Sequence, residues 1–145
     1  MKFRIYLDNC CFNRPYDDQS QPCVRFETQA KLYIQRMVFE RKIELVWSYI
    51  LKYENSRNPF NAKKHAITRW EKLSATFVNM SDEIIATAEE ITATGIKTAD
   101  ALHISCAIAS NCNYFITVDR RLFGYKDKRI IICNPVDFLN QIIEI

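Results

Sequence analysis

Short apolar runs alternate along the chain with longer stretches in which apolar residues recur every three or four positions. Runs of about five residues rich in β-branched and aromatic side chains are typical of buried strands. Four segments have this composition: Phe3–Leu7, Ile43–Trp47, Tyr114–Val118 and Arg129–Cys133. Thr76–Met80 is a weaker candidate. The pattern predicts four to five short strands.

The longest amphipathic stretch extends from Pro22 to Glu40, and proline suits the first turn of a helix. Six apolar residues are expected to share its buried face: Phe26, Ala30, Tyr33, Ile34, Met37 and Val38. Further helices are predicted from Ser48 through Glu54, through Trp70, from Ser81 to Gly95, across Ala99–Ser110 with Thr98 as N-cap, and from Asn134-Pro135.

This alternation of strands and helices predicts an α/β fold with a mostly parallel sheet covered by helices on both faces. In such folds the functional crevice lies beyond the carboxyl ends of the strands. The residues that directly follow each strand are therefore the first place to look for chemistry.

The composition restricts the class of protein. A chain of 145 residues, 48% hydrophobic and 26% charged, predicts one globular domain over residues 1–145. No apolar run reaches the roughly 20 residues that span a bilayer, and Asp8 comes too early for a secretory signal. We therefore expect a cytoplasmic protein without a membrane segment. The six cysteines have no Cys-x-x-Cys spacing, which favours reduced, structural thiols.

Charge and glycine content restrict the class of protein less than the overall composition does. The net charge is +3, with +6 in residues 1–72 and −3 in residues 73–145. A mildly basic half is compatible with a polyanionic ligand, but a solvated helix face explains it equally well. Only two glycines occur, which argues against a Walker loop or a dinucleotide fingerprint.

Four carboxylates are predicted to converge on one edge of the sheet. Asp8 and Asp119 each follow a predicted strand directly. Asp100 lies in the first turn of a helix, and Glu54 lies about two turns into the helix after the second strand. Each acid alone also has an ordinary explanation as a cap, a turn residue or an exposed helix residue.

Crowded carboxylates repel one another unless a cation holds them. Magnesium prefers oxygen ligands and retains water, so such a site suits hydrolysis of a phosphodiester. Asn9 and Thr117 are next to two of these acids and are candidates for orienting them or a bound water, although capping and strand hydrogen bonds explain them equally well.

The sequence resembles the PIN-domain family over essentially its whole length. The most specific match is Thr98-Ala99-Asp100-Ala101-Leu102-His103-Ile104, followed by Tyr114-Phe115-Ile116-Thr117-Val118-Asp119. Weaker matches are Tyr6-Leu7-Asp8-Asn9, Tyr53-Glu54-Asn55-Ser56 and the closing segment Asn134–Leu139.

The resemblance implies a PIN-like three-layer α/β/α sandwich and a Mg²⁺- or Mn²⁺-dependent endoribonuclease acting on single-stranded RNA. Asp8, Glu54, Asp100 and Asp119 are then the catalytic acids, with Asp8, Asp100 and Asp119 as metal ligands and Asn9 and Thr117 in support. Many relatives are VapC-type toxins, so an antitoxin is a candidate partner, and we also expect a homo-oligomer, a dimer. The alternative is a PIN-like module that binds RNA or protein without cutting it, and metal affinity at the four acids distinguishes the two.

Overall fold

Five strands and seven α-helices form the part of the chain that the structure, a computed structural model, describes, residues 2–143. The strands are β1 (Arg4–Leu7), β2 (Glu44–Ser48), β3 (Thr76–Val78), β4 (Tyr114–Ile116) and β5 (Ile131–Cys133). The helices are α1 (Asn9–Asn13), α2 (Pro22–Phe39), α3 (Tyr49–Ser56), α4 (Asn61–Leu73), α5 (Asp82–Thr92), α6 (Thr98–Ala109) and α7 (Pro135–Ile142). Single 3₁₀ turns cover Arg14–Tyr16 and Arg120–Leu122.

The strands form one sheet in the order β3-β2-β1-β4-β5, and every neighbouring pair is parallel. In the centre of the sheet Leu7 of β1 pairs with Ile116 of β4. The carboxyl ends of these two strands therefore lie side by side, and the residues that follow them, Asp8 and Thr117, begin the same crevice. The predicted parallel sheet is confirmed.

Helices cover both faces of the sheet. Alternate residues of each strand point to opposite sides, and the central strands have apolar residues on both sides that need to be buried. On one face the ring of Tyr6 stacks on Phe115, and its hydroxyl bonds to His103 of α6. On the other face Tyr114 packs edge to face on Phe138 of α7. The α/β/α sandwich expected from the sequence is confirmed.

The two edge strands are shorter and more exposed than predicted. In β3 the middle residue is exposed, and in β5 only Cys133 is fully buried. The composition predicted buried strands, but the strand order places β3 and β5 at the edges, where one side of each strand lacks a neighbour. In the centre, β4 ends at Ile116, two residues before the predicted end at Val118.

The predicted apolar face of α2 is only partly correct. Ala30, Ile34 and Val38 are buried, but Phe26 and Tyr33 are exposed. Their place is taken by polar residues that contact the segment after β1: Glu27 forms a 2.7 Å ion pair with Arg14, and Lys31 lies over the ring of Phe12. Helical periodicity identified the helix, but the neighbouring segment decided which face is buried.

The helix ends follow the predicted chemistry with one correction. Ser48, Ser81 and Asn134 each accept a backbone N–H and cap α3, α5 and α7 as predicted. Thr98 does not cap α6: it is the first helical residue, and Lys97 occupies the N-cap position without a side-chain bond. The short helix α1, which begins directly after Asp8, was not predicted from the sequence.

All six cysteines lie within the described residues, and none of them forms a disulfide. Cys106 and Cys133 are buried in the core, which fits structural thiols. Among residues 2–143 no helix is long and apolar enough to cross a membrane.

Candidate active site

Asp8 is a buried carboxylate at the carboxyl end of β1 and the N-cap of α1. Its Oδ1 accepts the backbone N–H of Asn9 at 2.8 Å. Its Oδ2 accepts the hydroxyl of Thr117 at 2.8 Å. The strand therefore delivers the acid to the crevice, while the start of α1 and the end of β4 fix its orientation.

Thr117 connects two of the predicted acids. Its buried hydroxyl donates to Asp8 and accepts the backbone N–H of Asp119 at 3.1 Å. Because the hydroxyl has one proton and two lone pairs, it can serve both partners at once. This geometry gives Thr117 the means to support the site.

Asp100 lies in the first turn of α6 and is half-buried. Burial raises the pKa of its carboxyl, and the negative charges of Asp8 and Asp119 raise it further. Asp8, Asp100 and Asp119 therefore share one electrostatic environment, although they come from three separate parts of the sequence.

Asp119 follows β4 and caps the 3₁₀ turn after it. Arg121 binds its carboxylate with two side-chain hydrogen bonds of 3.0 and 2.6 Å. These bonds lower the pKa of Asp119. The Asp119 carboxylate thus already has a cationic partner, and a metal ion would compete with Arg121 for it.

Glu54 reaches the site from α3 and is held by a histidine. Its Oε1 lies 2.7 Å from Nε2 of His103, which also lies 4.0 Å from Oδ1 of Asp8. His103 is buried, yet its edge faces two of the acids. His103 is therefore a core histidine that also touches a candidate catalytic acid.

Behind His103 a chain of short hydrogen bonds leads into the core. Nδ1 of His103 lies 2.6 Å from the Tyr6 hydroxyl, which lies 2.6 Å from the Ser48 hydroxyl. Ser48 also accepts the backbone N–H of Leu51. These hydrogen bonds connect Ser48, the N-cap of α3, with Glu54, which lies in the same helix.

This chain of hydrogen bonds orients Glu54 in either protonation state of the imidazole. In the neutral ring with the proton on Nε2, Tyr6 donates to Nδ1 and Ser48 donates to Tyr6. In the charged ring, Nδ1 donates to Tyr6 and Tyr6 donates to Ser48. In both states Nε2–H of His103 donates to Glu54.

Burial alone would lower the pKa of His103. The hydrogen bond with Glu54 and the charges of Asp8, Glu54 and Asp100 outweigh that effect, so the pKa is raised. When it is protonated, the imidazole supplies a counter-charge to the acidic crevice.

Asn9 and Cys10, the two residues after Asp8, contact its carboxylate in different ways. Asn9 contributes its backbone N–H, while its side-chain oxygen accepts the amide of Asn13 at 3.3 Å. The thiol of Cys10 lies 3.4 Å from Oδ2 of Asp8 and 3.3 Å from the Thr117 hydroxyl. Cys10 is therefore part of the surroundings of Asp8, a position that its sequence neighbours did not reveal.

The donor set has the chemistry of a site for a hard divalent cation, because Asp8, Asp100 and Asp119 offer only carboxylate oxygens. As placed, however, no three or more His, Cys, Asp or Glu side chains within residues 2–143 are grouped to hold a metal ion. In this arrangement Asp119 is paired with Arg121, and Glu54 is hydrogen-bonded to His103.

Family comparison assigns this fold and crevice to a known class. The PIN-domain family model matches residues 5–128, so the chain belongs to the PIN-domain family. PIN domains are generally nucleases and usually use divalent metals. No curated protein sequence matches the chain.

A solved structure similar to this chain is that of VapBC2 from Rickettsia felis bound to a DNA fragment from the promoter of its genes. The similarity covers 91% of this chain and 98% of that chain, with a TM-score of 0.57 and 14% sequence identity. At this identity the likeness supports the fold, which agrees with the parallel five-stranded sheet described above.

Proposed function

We propose that this protein is a divalent-metal-dependent endoribonuclease that hydrolyses phosphodiester bonds of single-stranded RNA. The observation that supports the proposal is the raised pKa of the Asp100 carboxyl, which burial raises first and the negative charges of Asp8 and Asp119 raise further. Membership of a family of nucleases supports the same chemistry. Asp8, Asp100 and Asp119 would hold Mg²⁺ or Mn²⁺, and Glu54 completes the set of four acids.

A bound divalent ion would supply positive charge for the scissile phosphate and lower the pKa of a bound water. The chain's own residues prepare the site for it. Thr117 orients Asp8 through its Oδ2, and His103 orients Glu54 through its Oε1. Asp119 would exchange Arg121 for the ion.

The decisive experiment is cleavage of a mixed-sequence single-stranded RNA with Mn²⁺, Mg²⁺ or EDTA. We expect metal-dependent cleavage by the wild type and a loss of at least about 100-fold in Asp8→Asn and Asp100→Asn, because each substitution removes a ligand charge with little change in volume. Circular dichroism checks that both variants remain folded.

Asp82→Asn is the matched control, because Asp82 lies in the first turn of α5 as Asp100 lies in the first turn of α6, but is exposed. Its activity should equal that of the wild type. Full activity in Asp100→Asn, or cleavage that persists in EDTA, would contradict the proposed site.

We further propose a toxin–antitoxin role, with an antitoxin protein as partner. The similar fold of VapBC2 supports this role. So does the surface of α2, where Phe26, Leu32 and Tyr33 are exposed. Exposed apolar side chains grouped on one helix are typical of a surface that another protein covers. Exposed apolar surface of this kind could also be covered by a second copy of the chain in a dimer. Light scattering of the protein alone measures its oligomeric state.

One specific observation favours a second candidate, a PIN module that binds RNA without cutting it: Arg121 occupies Asp119. If Asp119 keeps this partner, the metal ligand set remains incomplete. Calorimetric titration with Mn²⁺ separates the candidates, because the nuclease requires metal binding that Asp100→Asn weakens, whereas the binding module requires none.

A further inference from the structure

A group of exposed aromatic rings lies beside the acidic crevice. Tyr16, Tyr53 and Phe60 are 46%, 58% and 59% exposed. They come from the 3₁₀ turn after α1, from α3 and from the connection between α3 and α4. Exposure of several large rings on adjoining segments is costly in water and is typical of a binding surface.

This surface is continuous with the candidate active site. A hollow of about 270 Å³ is lined by Asn9 and Glu54 together with Phe60 and Lys63. Asn9 directly follows Asp8, and Glu54 is one of the four acids. A ligand strand whose phosphate enters the acidic crevice would therefore pass over the hollow towards Phe60.

Cations lie over these rings. The Lys63 ammonium is 4.7 Å from the ring centre of Tyr16 and 4.5 Å from that of Phe60. The two ring centres are consequently no more than about 9 Å apart, and one cation contacts both rings. The Arg57 guanidinium lies 5.7 Å from the ring of Tyr53 and also lines the hollow.

The backbone holds Phe60 in place. Its N–H donates to the Asn58 side chain at 3.1 Å, and its carbonyl accepts the N–H of Lys64 at 3.0 Å. The ring therefore projects from a hydrogen-bonded turn at the start of α4, and little ordering is needed for a base to stack on it.

We propose that Tyr16, Tyr53, Arg57, Phe60 and Lys63 form a nucleotide platform, on which unpaired bases next to the cleaved phosphodiester stack. Aromatic faces bind bases without sequence preference, and interleaved cations bind the backbone phosphates. The charge is complementary to RNA, since Arg57 and Lys63 flank the path that leads to Glu54. The inference rests on the proposed function, because it names how the strand reaches the same acids.

The test measures binding of a fluorescein-labelled, mixed-sequence single-stranded RNA by anisotropy in EDTA, where metal-dependent cleavage is absent. We expect Phe60→Ala to weaken binding roughly tenfold, the loss typical of one stacked base, whereas Phe60→Trp retains binding. Lys63→Ala should weaken binding and lower the slope of log affinity against log salt by about 1. Duplex RNA should show no dependence on Phe60.

Phe39→Ala is the matched control, because Phe39 is an exposed phenylalanine at the end of α2, outside the platform. It should bind RNA as the wild type does. In cleavage assays with Mn²⁺, Phe60→Ala should raise KM and leave kcat nearly unchanged, since the ring is proposed to bind a neighbouring base and not the cleaved phosphodiester.

The outcomes separate this inference from the proposed nuclease. Wild-type RNA affinity in both Phe60→Ala and Lys63→Ala would overturn the platform, even if metal-dependent cleavage is observed. An equal loss in Phe39→Ala would also overturn it. Binding that depends on Phe60 without cleavage under any metal would support the platform and reject the nuclease.

Discussion

At the scale of single residues, the contact between His103 and Glu54 connects stability with the candidate chemistry. His103 is buried and bonded on both ring nitrogens, to Tyr6 and to Glu54. A buried polar group that loses its partner costs more than the hydrogen bond itself contributes. The imidazole is therefore a structural requirement for both partners as well as a means of orienting the acid.

We expect His103→Ala to lower the free energy of unfolding by about 1–3 kcal/mol, because the Tyr6 hydroxyl and Glu54 both lose a partner. His103→Gln should lose less, since its amide can still donate to Glu54. Urea unfolding monitored by circular dichroism measures the difference. His65→Ala is the control, as His65 is exposed on α4. A midpoint for His103→Ala equal to that of the wild type would show that the chain of hydrogen bonds is not stabilising.

At the scale of elements, α2 shows how a tertiary contact reverses a sequence pattern. Phe26 and Tyr33 face solvent, while Glu27 and Lys31 are buried against Arg14 and Phe12. Burial lowers the pKa of Lys31 from 10.5 to about 8. The helix therefore carries a buried cation whose charged form is disfavoured in the folded protein.

We expect Lys31→Met to stabilise the protein at pH 7. The shift in the pKa of Lys31 from 10.5 to about 8 corresponds to an upper limit on the order of 3 kcal/mol. Methionine fills a similar volume and keeps the contact with Phe12. Thermal unfolding at pH 7 measures the change, with the exposed Lys52→Met as control. A lower melting temperature in Lys31→Met would show that the ammonium is stabilising where it lies.

The same shift predicts the pH dependence. Between pH 8 and 10.5 the unfolded chain binds more protons at Lys31 than the folded protein does, so the stability of the wild type rises with pH across this window. Lys31→Met should lack this rise, and comparison of the two pH profiles isolates the contribution of Lys31 from those of other groups.

At the scale of the whole molecule, the fold brings like charges together at one edge of the sheet. The pKa of Asp100 is raised by burial and by the charges of Asp8 and Asp119, so its charged form destabilises the folded state once the pH exceeds its pKa. A cation at this edge would remove that repulsion. The proposed metal site would therefore lower the stability of the protein until a cation binds.

We expect Asp100→Asn without metal to be more stable than the wild type at pH 7. Mn²⁺ should raise the stability of the wild type by about 2.7 kcal/mol at a hundredfold excess over its Kd, with a much smaller shift in Asp100→Asn. Thermal unfolding with Mn²⁺ or EDTA measures both effects, and Asp82→Asn should respond as the wild type does. Equal metal shifts in wild type and Asp100→Asn would place the ion elsewhere.

Much of this architecture follows from local sequence. The apolar runs located the central strands, Ser48, Ser81 and Asn134 marked helix starts, and the alternation implied parallel pairing. These features are local because propensity and capping act over a few residues. The four acids could be proposed from the same reasoning, since a parallel sheet brings the residues after its strands to one edge.

Tertiary structure alone decided which side chains meet. The strand order placed β3 and β5 at the edges, and the segment after β1 buried the polar side of α2. The hydrogen bond between His103 and Glu54 joins residues that are far apart in sequence. The hollow likewise brings Phe60 close to Asn9. Sequence by itself predicted most of the elements and proposed the four acids, because both inferences depend on near neighbours. Side-chain partners and the buried face of each helix depend on packing between distant segments, which only the folded chain specifies.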